Sequence, residues 1–321
     1  MELKPEIIER LKKLDEKYEA MGQSLVSYLD GLLYADYLTY WDYIHLDTLL
    51  SLQTPKTSIP DEQVFIMYHQ VTELYFKLSL HEFEQLAANQ TMTADDLLKG
   101  VTRINRYFNA LIDSFDIMVD GMDPAQFHKF RMSLLPASGF QSGQYRMIEI
   151  YCTEFLNLVL AEHRSKFGGV PSDSMIEKMY ESIYWKTGAT ELATGKKTLT
   201  LQQFELKYST QLILLAKQNK TTNLWMRYKS LPEADQKNPK LIEALKMLDV
   251  NVNVNWPLSH YKSAVRYLQR DPEDIAATGG TNWQKYLPPR FQRRIFYPEL
   301  WSAEELENWG KSWVRSIVLE K

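Results

Sequence analysis

The sequence predicts an all-α fold, on three observations. Apolar residues recur at three- and four-residue spacing through most of the 321 residues. Helix start and stop signals fall where that periodicity begins and ends. Alternating β patterns are scarce, and the one short example, Asn251 to Asn255 (NVNVN), reads as a strand or a loop.

The periodicity predicts helices over residues 4–20, 24–38, 46–53, 61–88, 94–119, 124–133, 140–167, 173–186, 200–218, 221–229, 236–248, 257–270 and 302–318. The first is charged at helical period. The fourth, from Asp61 onward (DEQVFIMYHQVTELYFK), is apolar almost all round, with Gln70, Glu73 and Lys77 as a narrow polar stripe. Thr93 reads as the N-cap of the next helix, and Leu135 to Gly139 breaks one helix before another begins. Stretches at 168–174 and 230–239 read as surface loops, and 271–299 as irregular. Pro257 stands where a first helical position is expected, and Ser302 with Glu305 forms a capping box. There is no internal repeat. The simplest organisation is a single helical-bundle domain over 1–321, with 61–88, 94–119, 140–167 and 200–218 as its long members.

Composition narrows the function classes. Hydrophobic residues make up 45% of the chain, enough for a sizeable core. A formal net charge of -4 with both signs interleaved argues against a nucleic-acid partner. The single cysteine, Cys152, has no internal partner for a disulfide. No run approaches the length of a membrane span, and the N-terminal stretch lacks the apolar core of a signal peptide, so a cytoplasmic setting without membrane contact is expected. The 19 Tyr, 13 Phe and 8 Trp can build a core or line a site for a flat ligand.

The six histidines form no zinc spacing, no HExxH and no ExxH, and neither a phosphate loop nor a dinucleotide fingerprint is present. Three local features remain. His69 shares a helix face with Phe65, Thr72 and Phe76; it is either a core histidine bonded to a carbonyl, or a polar group over a flat substrate or metal cofactor. Phe127 and Arg131 are i,i+4 neighbours, a pairing that suits an aromatic amino acid through its ring and carboxylate, or simply an Arg stem on a Phe. His260, four residues after Trp256, reads as an axial haem ligand in a first helical turn, with Thr278-Gly279-Gly280 offering a hydroxyl and N–H groups to a charged ligand end; the alternative is a helix start followed by a turn.

Together, and in order, these segments resemble the tryptophan 2,3-dioxygenase family. Tyr40-Trp41-Asp42-Tyr43-Ile44-His45-Leu46-Asp47 is similar to the family's Tyr-x-x-Tyr-Leu-His-Leu pattern. Asp61-Glu62 through His69-Gln70, Glu73-Leu74 and Phe76-Lys77 resembles its Asp-Glu…His-Gln…Glu-Leu-Trp-Phe-Lys helix. Phe127 to Arg131, Ser138-Gly139-Phe140-Gln141-Ser142 with Gln144-Tyr145-Arg146, Trp256 with His260, and Thr278-Gly279-Gly280 complete the set.

The resemblance implies a haem b enzyme of all-helical, homotetrameric build that adds O2 across the indole C2–C3 bond of L-tryptophan to give N-formyl-L-kynurenine. It implies that His260 is the iron ligand and that His69 is the distal, substrate-facing histidine. Phe65 and Phe127 would wall the substrate, Arg131 would hold its carboxylate and Thr278 its ammonium and carboxylate end. Tyr40 and Tyr43, in an N-terminal segment (1–45), would reach a neighbouring subunit's site.

The chain departs from the family's Gly-Thr-Gly-Gly-Ser-Ser-Gly loop at Ala277-Thr278-Gly279-Gly280-Thr281-Asn282-Trp283, and Arg270 to Asp274 reads as a small insertion. Two further readings stand beside the main one, the first motivated by that departure. One is a same-fold haem oxygenase acting on a substituted tryptophan or another aromatic amino acid; the other is a non-catalytic haem or tryptophan sensor.

Overall fold

The computed structural model describes residues 3–36, 38–134, 141–169, 171–189, 196–268 and 293–309. The chain divides into two compact units, Met1–Thr54 and Pro55–Lys321.

The first unit holds α1 (Pro5–Ala20), α2 (Leu25–Leu33) and the short turns α3 (Tyr40–Tyr43) and α4 (Leu46–Leu50). Of its described residues only Leu25 is buried, and Leu32, Leu33, Tyr34, Tyr40 and Tyr43 are each more than 70% exposed.

The second unit is built around α5 (Pro60–Ala88) and α6 (Ala94–Ser114), which pack along each other. Pro60 starts α5 at the position where its missing N–H costs nothing. Asp61 and Glu62 complement the positive helix end, and Glu62 accepts from the Lys56 and Thr57 backbone at 2.8 and 2.7 Å. The Tyr68, Thr72, Phe76, Leu80 and Phe83 face enters the core, while Met67, Val71, Leu74 and Leu78 stay exposed. In α6, Thr93 and Asp96 form a capping box, and Leu97, Val101, Ile104, Phe108 and Leu111 recur at helical spacing with 0–1% exposure.

After α6 a one-residue turn at Phe115 leads into α7 (Asp116–Val119), and α8 (Pro124–Phe130) and a 3-10 turn from Arg131 to Leu134 follow. The Asp123 side chain caps α8 by accepting from Ala125 N at 2.8 Å. Next come α9 (Gly143–Cys152), α10 (Ala161–Arg164), α11 (Asp173–Glu181), α12 (Tyr184–Gly188), α13 (Leu199–Gln218), α14 (Leu224–Lys229) and α15 (Glu233–Gln236). They lead to α16 (Pro239–Val250), α17 (Trp256–Leu268) and α18 (Ala303–Glu307), the last opened by the Ser302–Glu305 capping box. α9 lies against α5 and α13, and α16 against α6. The fold is all-α: among the described residues there is no strand, only an isolated bridge between Val159 and Ile183. Nor is any helix among them long and apolar enough to cross a membrane.

Three sequence expectations are corrected. The helix expected over 140–167 is interrupted after Cys152, where Thr153 turns extended and its buried hydroxyl donates to Phe296 O. Asn251–Asn255 is neither strand nor loop but a π-helical turn that joins α16 to α17 without a break. Pro257 therefore does not open a helix, and His260 stands inside a long helical run and not in a first turn. The alternation in NVNVN misled because four of its five residues, Asn251 to Val254, are buried, polar and apolar alike. Val252 and Val254 are 0% exposed, and the asparagine side chains bond at helical spacing along the run, Asn255 Nδ2 donating to Asn251 Oδ1 at 2.9 Å and Asn253 Nδ2 to Asp249 Oδ1 at 2.7 Å.

Candidate functional site

His69 and His260 come from opposite ends of the second unit's sequence, on α5 and α17, yet they share one environment. His69 Nδ1 lies 2.7 Å from Phe65 O, and His260 Nδ1 lies 3.1 Å from Trp256 O, in each case the carbonyl one turn earlier. A carbonyl can only accept, so both Nδ1 atoms carry the proton and both Nε2 atoms present a lone pair. Burial holds the pKa of both imidazoles below the ordinary histidine value; that of His260 falls to about 4, helped by the nearby His69. Two neutral rings, each with a free lone pair, are the result.

Aromatic side chains set their orientation. Phe65 packs on His69 with ring centroids 4.1 Å apart. Phe115 stands 4.6 Å from His260, and Trp256 meets it edge-on at 4.3 Å. Tyr68 bridges the two histidines through edge contacts to His69 at 6.5 Å and to Phe115 at 5.7 Å. Its hydroxyl is accounted for by Ser114 Oγ and Leu111 O.

α8 supplies the adjoining wall. Asp61, one turn before Phe65, accepts from Asp123 N at 2.6 Å, and its own N–H donates to Gln126 Oε1 at 3.2 Å. These bonds tie the start of α5 to the start of α8. Four residues further along each helix, the tie brings Phe65 to 6.4 Å from Phe127, with Phe130 5.8 Å from Phe65. Phe127 also packs on Tyr267 of α17 at 4.8 Å. Arg131 follows directly and is 8% exposed; burial pulls its guanidinium below the usual arginine pKa, although the group stays charged at neutral pH. A buried cation beside a wall of phenyl rings is suited to an anionic group attached to an aromatic one.

The fold thus brings Phe65, His69, Phe127, Arg131 and His260 into one region of the second unit. Tyr40 and Tyr43 lie in the first unit, where they are 71% and 74% exposed. Thr278, the loop 277–283 and the Ser138-Gly139-Phe140 segment lie outside the described residues. Sequence reading missed Asp61 as the tie between helices, and Phe115 and Tyr267 as ring partners. None carries a local signal, because each acts through a residue far away in the chain.

The donor chemistry at His260 fits a haem iron. The imidazole is neutral, its Nε2 lone pair is available, and its Nδ1–H donation to a carbonyl raises its basicity as a ligand. Among the described residues no three His, Cys, Asp or Glu side chains converge as a ligand set. A single imidazole is what a macrocycle bringing its own four nitrogens requires.

Comparison with known proteins identifies the family. A family model described as tryptophan 2,3-dioxygenase matches residues 31–167. A curated tryptophan 2,3-dioxygenase of Herpetosiphon aurantiacus is 32% identical over 272 residues, covering 83% of this chain and 96% of that protein. One of Exiguobacterium sibiricum is 30% identical over 277 residues, 83% of this chain and 91% of that protein. One of a Ruegeria species (strain TM1040) reaches 44% identity over a shorter stretch of 118 residues, 36% of this chain and 42% of that protein. The chain belongs to the tryptophan 2,3-dioxygenase family.

Proposed function

We infer that this chain is a haem-dependent dioxygenase that inserts both atoms of O2 across the indole C2–C3 bond of L-tryptophan, giving N-formyl-L-kynurenine. The observation that carries the reading is the meeting of two neutral, Nδ1-tethered imidazoles beside the Phe65–Phe127 wall and buried Arg131.

Haem b, when bound, supplies the activation of dioxygen that a closed-shell indole needs. His260 would hold its iron through Nε2, kept in line by the Trp256 carbonyl and the Phe115 ring. On the substrate side, His69 Nε2 can accept the indole N–H, because Nδ1 is committed to Phe65 O. It orients the indole through this bond and need not remove the proton. Phe65 and Phe127 supply apolar contact for the ring and exclude water. Arg131 would fork the carboxylate bidentately, and fixing both ends of the molecule sets which carbons face the oxygen. Thr278 would meet the ammonium and carboxylate end.

The first unit's exposed apolar residues, Tyr40 and Tyr43 among them, support a homotetramer in which the N-terminal segment (1–45) completes a neighbour's site. The cytoplasm is the proposed location. The non-glycine residues at Ala277 and Trp283 favour a second reading, a preference for a substituted tryptophan, which a panel of ring-substituted tryptophans would reveal. The main reading is tested by supplying haem b, reducing the protein and adding tryptophan and oxygen. N-formylkynurenine is expected. Spectral change on tryptophan binding without product would instead indicate a sensor.

A further inference from the structure

Pro257 lies three residues before His260, in the helical run formed by α16, the π-turn and α17. Proline has no N–H, and in a regular α-helix its ring collides with the carbonyl four residues earlier. Here the helix opens instead. Trp256 N–H donates to Asn251 O, five residues back. In that register the next carbonyl, Val252 O, would take its bond from residue 257, which has no hydrogen to give. Its partner comes from another helix: Tyr145 OH, on α9, donates to Val252 O at 2.8 Å in the buried core.

Both residues are enclosed, Tyr145 at 8% and Val252 at 0% exposure, so water is a poor substitute for either. Burial also pushes the Tyr145 phenol up, and it keeps the proton it donates. The turn is gripped elsewhere through side chains. Asn251 Nδ2 donates to Asn109 Oδ1 at 2.9 Å and to Asn105 Oδ1 at 3.2 Å, and Asn253 Nδ2 donates to Asp249 Oδ1 at 2.7 Å. Those bonds act through the turn's side chains, whereas Tyr145 satisfies its main chain. The consequence for His260 is geometric. A one-residue change of register rotates everything downstream by about 100° around the helix axis, since 3.6 residues complete a turn. Tyr145 also touches this region through its ring, which lies 5.6 Å from Phe76, itself 5.7 Å from Trp256.

We propose that Tyr145 is a positioning residue for His260: its hydroxyl supplies the hydrogen bond that Pro257 withholds, and so holds the π-turn that aims the imidazole. The proposal rests on the reading of His260 as the iron ligand.

The test uses the full chain carrying Tyr145→Phe, Pro257→Ala or both. Amide hydrogen exchange across 250–262 is followed without haem, and the iron–histidine stretching band is recorded by resonance Raman after haem b is supplied and reduced. Tyr145→Phe is expected to speed exchange across the turn about tenfold or more, as for a buried carbonyl left unsatisfied, and to shift or broaden the band. Adding Pro257→Ala returns an N–H at that position and is expected to recover most of both effects. Exchange and band unchanged in Tyr145→Phe overturn the proposal, as does a double variant that recovers nothing. If Tyr145→Phe does not fold, a folded double variant supports the proposal and an unfolded one overturns it. A wild-type chain that shows the exchange pattern but binds no haem through His260 supports the Tyr145 lock and overturns the ligand reading.

Discussion

Nδ1 of His260 lies 3.1 Å from the carbonyl oxygen of Trp256, one helical turn before it. That bond fixes the tautomer and leaves Nε2 as the atom able to bind iron. His260→Ala is therefore expected to lower haem affinity more than tenfold or so and to abolish the histidine-ligated ferrous spectrum. His69→Ala is expected to keep that spectrum while lowering turnover. Titration of both variants with haem, followed by absorption spectra, checks the pair. Loss of ligation in His69→Ala with retention in His260→Ala would exchange the two roles.

Arg131 is the buried cation beside the phenyl wall. If Arg131 holds the substrate carboxylate as proposed, Arg131→Ala removes that charge-assisted contact, and about a tenfold to hundredfold rise in KM for tryptophan is expected, with a smaller change in kcat. Arg131→Lys is expected to recover only part of this, because a single ammonium cannot fork a carboxylate. Steady-state kinetics with tryptophan and with tryptamine, which lacks the carboxylate, separate the contact from a general structural effect. Wild type and Arg131→Ala should treat tryptamine alike.

Asp61 joins α5 to α8 through Asp123 N at 2.6 Å. Asp61→Ala leaves a backbone donor without its carboxylate partner and loosens the Phe65–Phe127 contact. Because the bond lies at the surface, where water can replace the acceptor, a loss of about 0.5–1 kcal/mol in urea unfolding is expected. Asp61→Asn retains an acceptor and is expected to lose less. Equal losses in the two variants would show that the tie is not a hydrogen bond of consequence.

Acid stability of the haem-free chain should expose two opposed groups. His260 has a folded pKa of about 4 against 6.5 for a free histidine, so the folded chain binds fewer protons and its stability rises with pH between those values. Asp249, desolvated in the core, has a folded pKa of about 6 against 3.8, so there the folded chain binds more protons and stability falls as pH rises from about 4 to 6. Relative to wild type, His260→Gln is expected to tilt the stability–pH profile downward with rising pH in that window, and Asp249→Asn upward. Each tilt is on the order of 3 kcal/mol across the window. Urea melts at intervals between pH 4 and 6.5 test the signs, and tilts in the same direction would refute them.

The long helices α6 and α13 were legible in the sequence because each starts at a threonine cap and carries apolar residues at helical spacing. Thr93 and Ser302 mark helix starts by local chemistry, and the Leu97–Leu111 stripe repeats at 3.6 residues because α6 is exposed on its other side. The π-turn was not legible, since Asn251 to Val254 are buried whether polar or apolar and so set no period. The break at Thr153 depends on Phe296, which is 143 residues away. At the site, His69, Phe65, Phe127, Arg131 and His260 stood out through their i,i+4 neighbours and a resemblance in order along the chain. Phe115 and Tyr267 did not, and Asp61 and Tyr145 entered only as matching positions without a role, because all four act only once distant helices pack together.

The most direct test of the central claim is a single turnover of the reduced, haem-b-loaded chain with L-tryptophan under isotopically labelled dioxygen, followed by mass spectrometry of the product. N-formyl-L-kynurenine carrying both labelled oxygen atoms is the expected result. A haem-bound, tryptophan-bound protein that yields no such product, or a product with only one labelled oxygen before any exchange with water, would contradict it.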